Sequence, residues 1–103
     1  MAKFELPIHD LKTGEIVKTY QRGFMPVDLY VRFQKLAEKM IDDKYKSDEE
    51  MFNDFEDLFV ELFPDLTREE YQKCTDVAEV LEVWNAAINK STQLESGNSS
   101  KNG

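Results

Sequence analysis

Apolar residues recur along this chain with two periods, and each period predicts an element. Phe4, Leu6 and Ile8 fall on every second position, the spacing of a strand with one buried face. Pro7 lacks a backbone N–H, which places that strand at a sheet edge. Lys12-Thr13-Gly14-Glu15 has turn chemistry, with Gly14 free to take positive φ. Ile16 to Tyr20 is β-branched and aromatic, as expected of a returning strand. Residues 3–21 are therefore expected to form a β-hairpin. A lone hairpin is marginal in water, so this one must pack on helices or pair with another chain.

Beyond Gly23 the period becomes helical. Pro26 suits a first helical turn, where its missing N–H would be unpaired anyway. The first long helix should run to about Asp43. Its stripe of Leu29, Tyr30, Phe33, Leu36, Ala37, Met40 and Ile41 spans roughly 140° at 100° per residue. Arg32, Lys35 and Lys39 gather on the opposite side. After the linker Lys44-Tyr45-Lys46, Ser47-Asp48-Glu49-Glu50 reads as a capping box for a second helix from Asp48 to Phe63. Met51, Phe52, Phe55, Leu58, Phe59, Leu62 and Phe63 form its apolar arc. Behind it runs an acidic stripe of Glu50, Asp54, Asp57 and Glu61, and Val60 falls outside the arc.

Pro64-Asp65-Leu66 stops the second helix, and Thr67-Arg68-Glu69-Glu70 caps a short third one to Lys73. Thr75 is expected to cap the last helix, with Asp76 favourable at its positive end. Val77, Val80, Leu81, Trp84, Ala87 and Ile88 make its apolar face. From residue 92 on, the Ser, Thr, Gln, Asn and Gly content predicts a disordered tail, 92–103. The fold class that follows is mainly α. It is a single domain over residues 1–91, with an N-terminal β-hairpin and about four helices in a small bundle.

Composition narrows the function more than the fold. In 103 residues, 12% are aromatic, which argues against global disorder. No run approaches the ~20 apolar residues of a membrane span, and no secretory signal opens the chain. A single cysteine, Cys74, excludes an internal disulfide framework and suits a reducing cytosol. With one His and one Cys, a Cys/His zinc site is not expected. The net charge of −8 argues against nucleic-acid binding, which relies on Lys and Arg. That charge is unevenly spread. Residues 1–46 hold seven acids and nine bases, a net of +2; residues 47–95 hold fourteen acids and three bases, a net of −11.

Catalytic candidates are few. His9 sits near the hairpin turn and reads as an exposed loop histidine. Cys74 precedes a helix start, where a thiol pKa can fall, but it has no base beside it in the sequence. No catalytic, cofactor-binding or metal-binding residue is expected. The acids Glu50, Asp54, Asp57 and Glu61 share only their spacing with magnesium-binding helical hydrolases, because they lie opposite the aromatic stripe. Charge pairing is the better use for them. Both stripes lie behind apolar faces and cannot easily meet within one compact monomer, so Arg32, Lys35 and Lys39 are expected to meet the acids of a neighbouring subunit, making a homo-oligomer, the alternative being two ordinary solvated faces. Apolar positions outside the stripes, Phe24, Met25, Val31 and Val60, are candidate contacts for another protein.

The order of elements also resembles a family. The residues that carry it are Pro26-Val27-Asp28-Leu29-Tyr30, then LFPDLTREE over 62–70, then Thr75-Asp76-Val77-Ala78-Glu79-Val80-Leu81 with the following helix. Over about residues 3–91 the chain resembles the tail assembly chaperones of long-tailed phages that infect Gram-positive bacteria. The resemblance implies a non-enzymatic helical protein that binds the tape measure protein and keeps it soluble in the host cytoplasm. It also implies self-association, and a frameshifted longer form that recruits the tail tube protein. Two other readings compete with it: a small acidic adaptor or inhibitor of another protein, and, further off, a metal-dependent nucleotide hydrolase.

Overall fold

A computed structural model describes residues 4–89. Two strands, β1 (Phe4–His9) and β2 (Ile16–Arg22), precede four helices, α1 (Val27–Ile41), α2 (Asp48–Leu62), α3 (Arg68–Cys74) and α4 (Val77–Ile88). The mainly α architecture with an N-terminal hairpin is therefore present. The predicted tail, 92–103, lies outside the described residues.

The strands pair antiparallel, with Leu6 opposite Tyr20 and Ile8 opposite Lys18. The register slips between Ile8 and His9, which leaves Val17 without a cross-strand partner. Alternation does the rest: Phe4, Leu6 and Ile8 are buried, and β1 lies against α4 and α3. Asp10 builds the turn by accepting from the Lys12 N–H at 2.7 Å. Gly14 takes the left-handed φ of 79° that the turn requires.

The α1–α2 connection is also built by local chemistry. Asp43 adopts φ 57°. The Asp43 N–H then donates to the Met40 carbonyl and the Lys44 N–H to the Lys39 carbonyl, which closes α1 as a Schellman motif. The Tyr45 hydroxyl donates to Asp54 at 2.6 Å, and the Lys39 ammonium sits 4.3 Å from the Tyr45 ring centre. One half of the expected Ser47 capping box forms. The Ser47 hydroxyl accepts from the Glu50 N–H, but the Glu50 carboxylate reaches the Lys46 N–H instead of that of Ser47. The Thr67/Glu70 box is complete.

The four helices bury their apolar arcs on one another and on β1. Phe33 from α1, Phe55 and Phe59 from α2, and Trp84 from α4 meet in the centre. The Phe55 and Trp84 rings stack at 4.6 Å.

Two expectations about faces and one about a cap need correction. Ile41, predicted on the α1 stripe, is 81% exposed, because it is the last helical residue and passes the end of the core. On α4 the buried side is Val80, Val83, Trp84 and Ala87, while Val77 and Leu81 stay exposed. The hairpin and α1 both cover α4, and that rotates its buried face toward Val83. Finally, Asp76 caps α4 by accepting from the Ala78 N–H. Thr75 instead ends α3, its hydroxyl donating to the Tyr71 carbonyl.

Candidate protein-binding surfaces

The charged stripes meet within one chain. Arg32 pairs with Glu61, and Lys39 lies 3.4 Å from Asp54. Both stripes border a shallow cleft of about 250 Å³ between α1 and α2, lined by Arg32, Lys35, Asp54 and Asp57. The expectation that they could meet only between subunits is corrected. Arg32, Lys39, Asp54 and Glu61 sit at the borders of their apolar arcs, not behind them, so packing the arcs together brings the borders into contact. Asp57 is held from the other side by Arg68 at 2.8 Å. The Glu50 carboxylate turns back to accept from the Lys46 N–H. Lys35 lines the cleft without an ion pair among the described residues.

The apolar candidates divide. Phe24 is 58% exposed, with the Arg22 guanidinium 4.6 Å from its ring centre. Val31 is 43% exposed, and Val27, one turn earlier on α1, is 79% exposed. Met25 and Val60 are half-buried and pack against the core. For Met25 and Val60 this corrects the expectation of exposed contact positions.

His9 is not a free loop residue. It ends β1, with Nδ1 2.8 Å from the Gly14 carbonyl and Nε2 2.7 Å from Glu79 on α4. Both ring nitrogens face acceptors, an arrangement that only the imidazolium satisfies fully. The Glu79 hydrogen bond, with the Gly14 carbonyl second, pushes its pKa above the ordinary value. Cys74 is a half-buried free thiol that ends α3.

A second network ties the hairpin to α3. Glu70 receives the Tyr20 hydroxyl at 2.8 Å and the Lys18 ammonium at 2.8 Å, besides the Thr67 N–H. Burial works against its charged form, yet these donors hold its pKa at about 2, below the ordinary 4.5.

A second concave surface lies between α2, α3 and the start of α4. It is an open groove of about 250 Å³, whose lining includes Phe52, Tyr71, Val77 and Val80, with Glu49 and Glu56 as its charged members. Glu56 is 6% exposed and buried against Arg68 at 2.7 Å and Gln72 at 2.6 Å. Sequence reasoning passes over this residue. Its signal is an acid one turn after Phe52 and one before Phe59, on the apolar side of α2.

Among the described residues, no group of three or more His, Cys, Asp or Glu is placed to hold a metal ion. No helix there is long and apolar enough to cross a membrane. No curated protein and no solved structure matches the chain. A family model described as "Phage tail chaperone protein" matches residues 1–103.

Proposed function

We propose that this chain, which belongs to the phage tail chaperone family, binds the tape measure protein of its phage and keeps it soluble until the tail tube forms around it. The match of the family model over the whole chain carries this reading. The exposed apolar positions Phe24, Val31 and Val77 supply surface for protein partners. The net charge of −8 would keep the complex soluble. In this reading the protein acts by binding, without a cofactor, in the host cytoplasm. Copies self-associate along the client, and a longer frameshifted form recruits the tail tube protein. With the charged stripes closed internally, self-association falls to the apolar positions Phe24 and Val31 and to the edge of β2, which pairs with β1 alone among the described residues. Lys35, the one stripe base without an ion pair among the described residues, remains available beside them.

Co-expression tests the proposal. The tape measure protein alone should go to the pellet, and with this chain it should remain soluble and co-purify. A tape measure protein that stays insoluble, or soluble but unbound, at every salt concentration between low and physiological would refute the reading. Sedimentation of the chain alone tests self-association, which Phe24→Asp and Val31→Asp should each weaken.

A further inference from the structure

We propose that the groove between α2, α3 and the start of α4 is the client-binding site, and that it takes a helix presenting a large apolar side chain flanked by Lys or Arg. The inference rests on the proposed chaperone function for the identity of the client, and on the groove itself for the chemistry. Phe52, Tyr71 and Val80 line the groove, and the exposed Val77 stands beside them. Leu81, one turn beyond Val77 on the same helix, is 37% exposed and extends the apolar strip. A volume of about 250 Å³ is small beside the ~300–1,000 Å³ of small-molecule sites, and the groove is open. It suits one or two side chains of a partner.

The three helices around it carry eleven acids and two bases. No lysine or arginine lines the groove, whereas Glu49 does, on its exposed side. The bases of α3 are already engaged: Arg68 with Glu56 and Asp57, and Lys73 with Glu69. An apolar floor under an acidic surface selects an amphipathic helix with basic flanks and rejects an acidic one. Groove walls made of helices offer side chains and no free strand edge, so recognition is helix-in-groove.

The test uses the full chain and two designed probes. One is an eighteen-residue amphipathic helix of Leu and Lys, and the other is the same pattern in Leu and Glu. Amide shifts of the labelled chain should concentrate at Asn53, Gln72 and Val77 with the Leu/Lys probe, and be absent with the Leu/Glu probe. Val77→Lys should weaken Leu/Lys binding at least tenfold. Val27→Lys, an equal charge change on exposed α1, should alter it less than twofold. Equal losses in the two variants, shifts spread over the whole acidic surface, or no binding would each overturn the assignment. Co-expression with the tape measure protein separates site from function. Wild type and Val27→Lys should hold it in solution, and Val77→Lys should not. If Val77→Lys holds it as well as wild type, the groove is the wrong site and the function stands. If wild type does not hold it, the client assignment falls with the function, while the probes still decide whether the groove reads basic helices.

Discussion

At the scale of single residues, polar atoms that are buried or paired set the sharpest expectations. The Tyr30 hydroxyl is buried without a hydrogen-bond partner among the described residues. An unsatisfied buried hydroxyl costs about 1–3 kcal/mol, part of which ring burial offsets. Tyr30→Phe should therefore leave the fold as stable or more stable, by up to about 1 kcal/mol, as thermal unfolding would show; a clear loss would mean the hydroxyl has a partner in solution. The His9 imidazolium bridges the Gly14 carbonyl and Glu79, with its pKa raised above 6.5. A raised value stabilises the fold fully below 6.5 and loses that contribution as pH rises through the folded value. The melting temperature should fall across that window in the wild type and stay flatter in His9→Gln. An NMR titration of His9 showing an ordinary midpoint would contradict this. Glu70 has the opposite sign. Its pKa is depressed from 4.5 to about 2, so its contribution is complete above 4.5 and disappears as pH falls toward 2. Glu70→Gln keeps the possibility of a cap but removes the charge beside Lys18. After discounting for solvent screening it should cost about 1–2 kcal/mol at neutral pH, and it should remove that part of the acid transition between about pH 5 and 2.

At the scale of elements, the strand and helix boundaries are legible in the sequence because they rest on local chemistry. Alternation at Phe4, Leu6 and Ile8 and the Thr67/Glu70 cap act within a few residues, and the structure shows both. What is not legible depends on neighbours distant in sequence. The α4 face turns toward Val83 because the hairpin and α1 both press on it. Thr75 and Asp76 are adjacent cap residues, and periodicity alone does not say which one begins α4. The end of α1 shows a local compromise. Asp43 sits at the left-handed position of a Schellman motif, where glycine is preferred and a side chain costs about 1–2 kcal/mol. Gly also makes the unfolded chain more mobile, which reduces the gain. Asp43→Gly should still stabilise the fold by about 0.5–1 kcal/mol, measurable as a higher urea midpoint with an unchanged slope. Asp43→Val should lower it, since a β-branched residue resists positive φ.

At the scale of the whole molecule, the uneven charge is visible in the sequence, but its destination is not. Sequence spacing presents the stripes of α1 and α2 as opposed surfaces of separate subunits. Packing the two apolar arcs instead closes Arg32 on Glu61 and Lys39 on Asp54 within one chain. These exposed pairs are each worth about 0–1 kcal/mol. Against them stands the excess of 21 acids over 13 bases, concentrated in the last three helices, which carry eleven acids and two bases. Salt weakens both effects. The Debye length shrinks from about 30 Å at 0.01 M to about 8 Å at 0.15 M, and repulsion among many separated carboxylates is screened more completely than contacts of about 3–4 Å between paired groups. Repulsion should therefore lose more than the pairs do. Raising sodium chloride from about 0.01 to 0.2 M should stabilise the isolated chain by about 1 kcal/mol, a rise of about 4–8 °C in melting temperature. The same salt should weaken capture of the Leu/Lys probe, because there the charges attract. A melting temperature that falls with salt would show that the internal pairs, not the acidic excess, dominate the electrostatics of the fold.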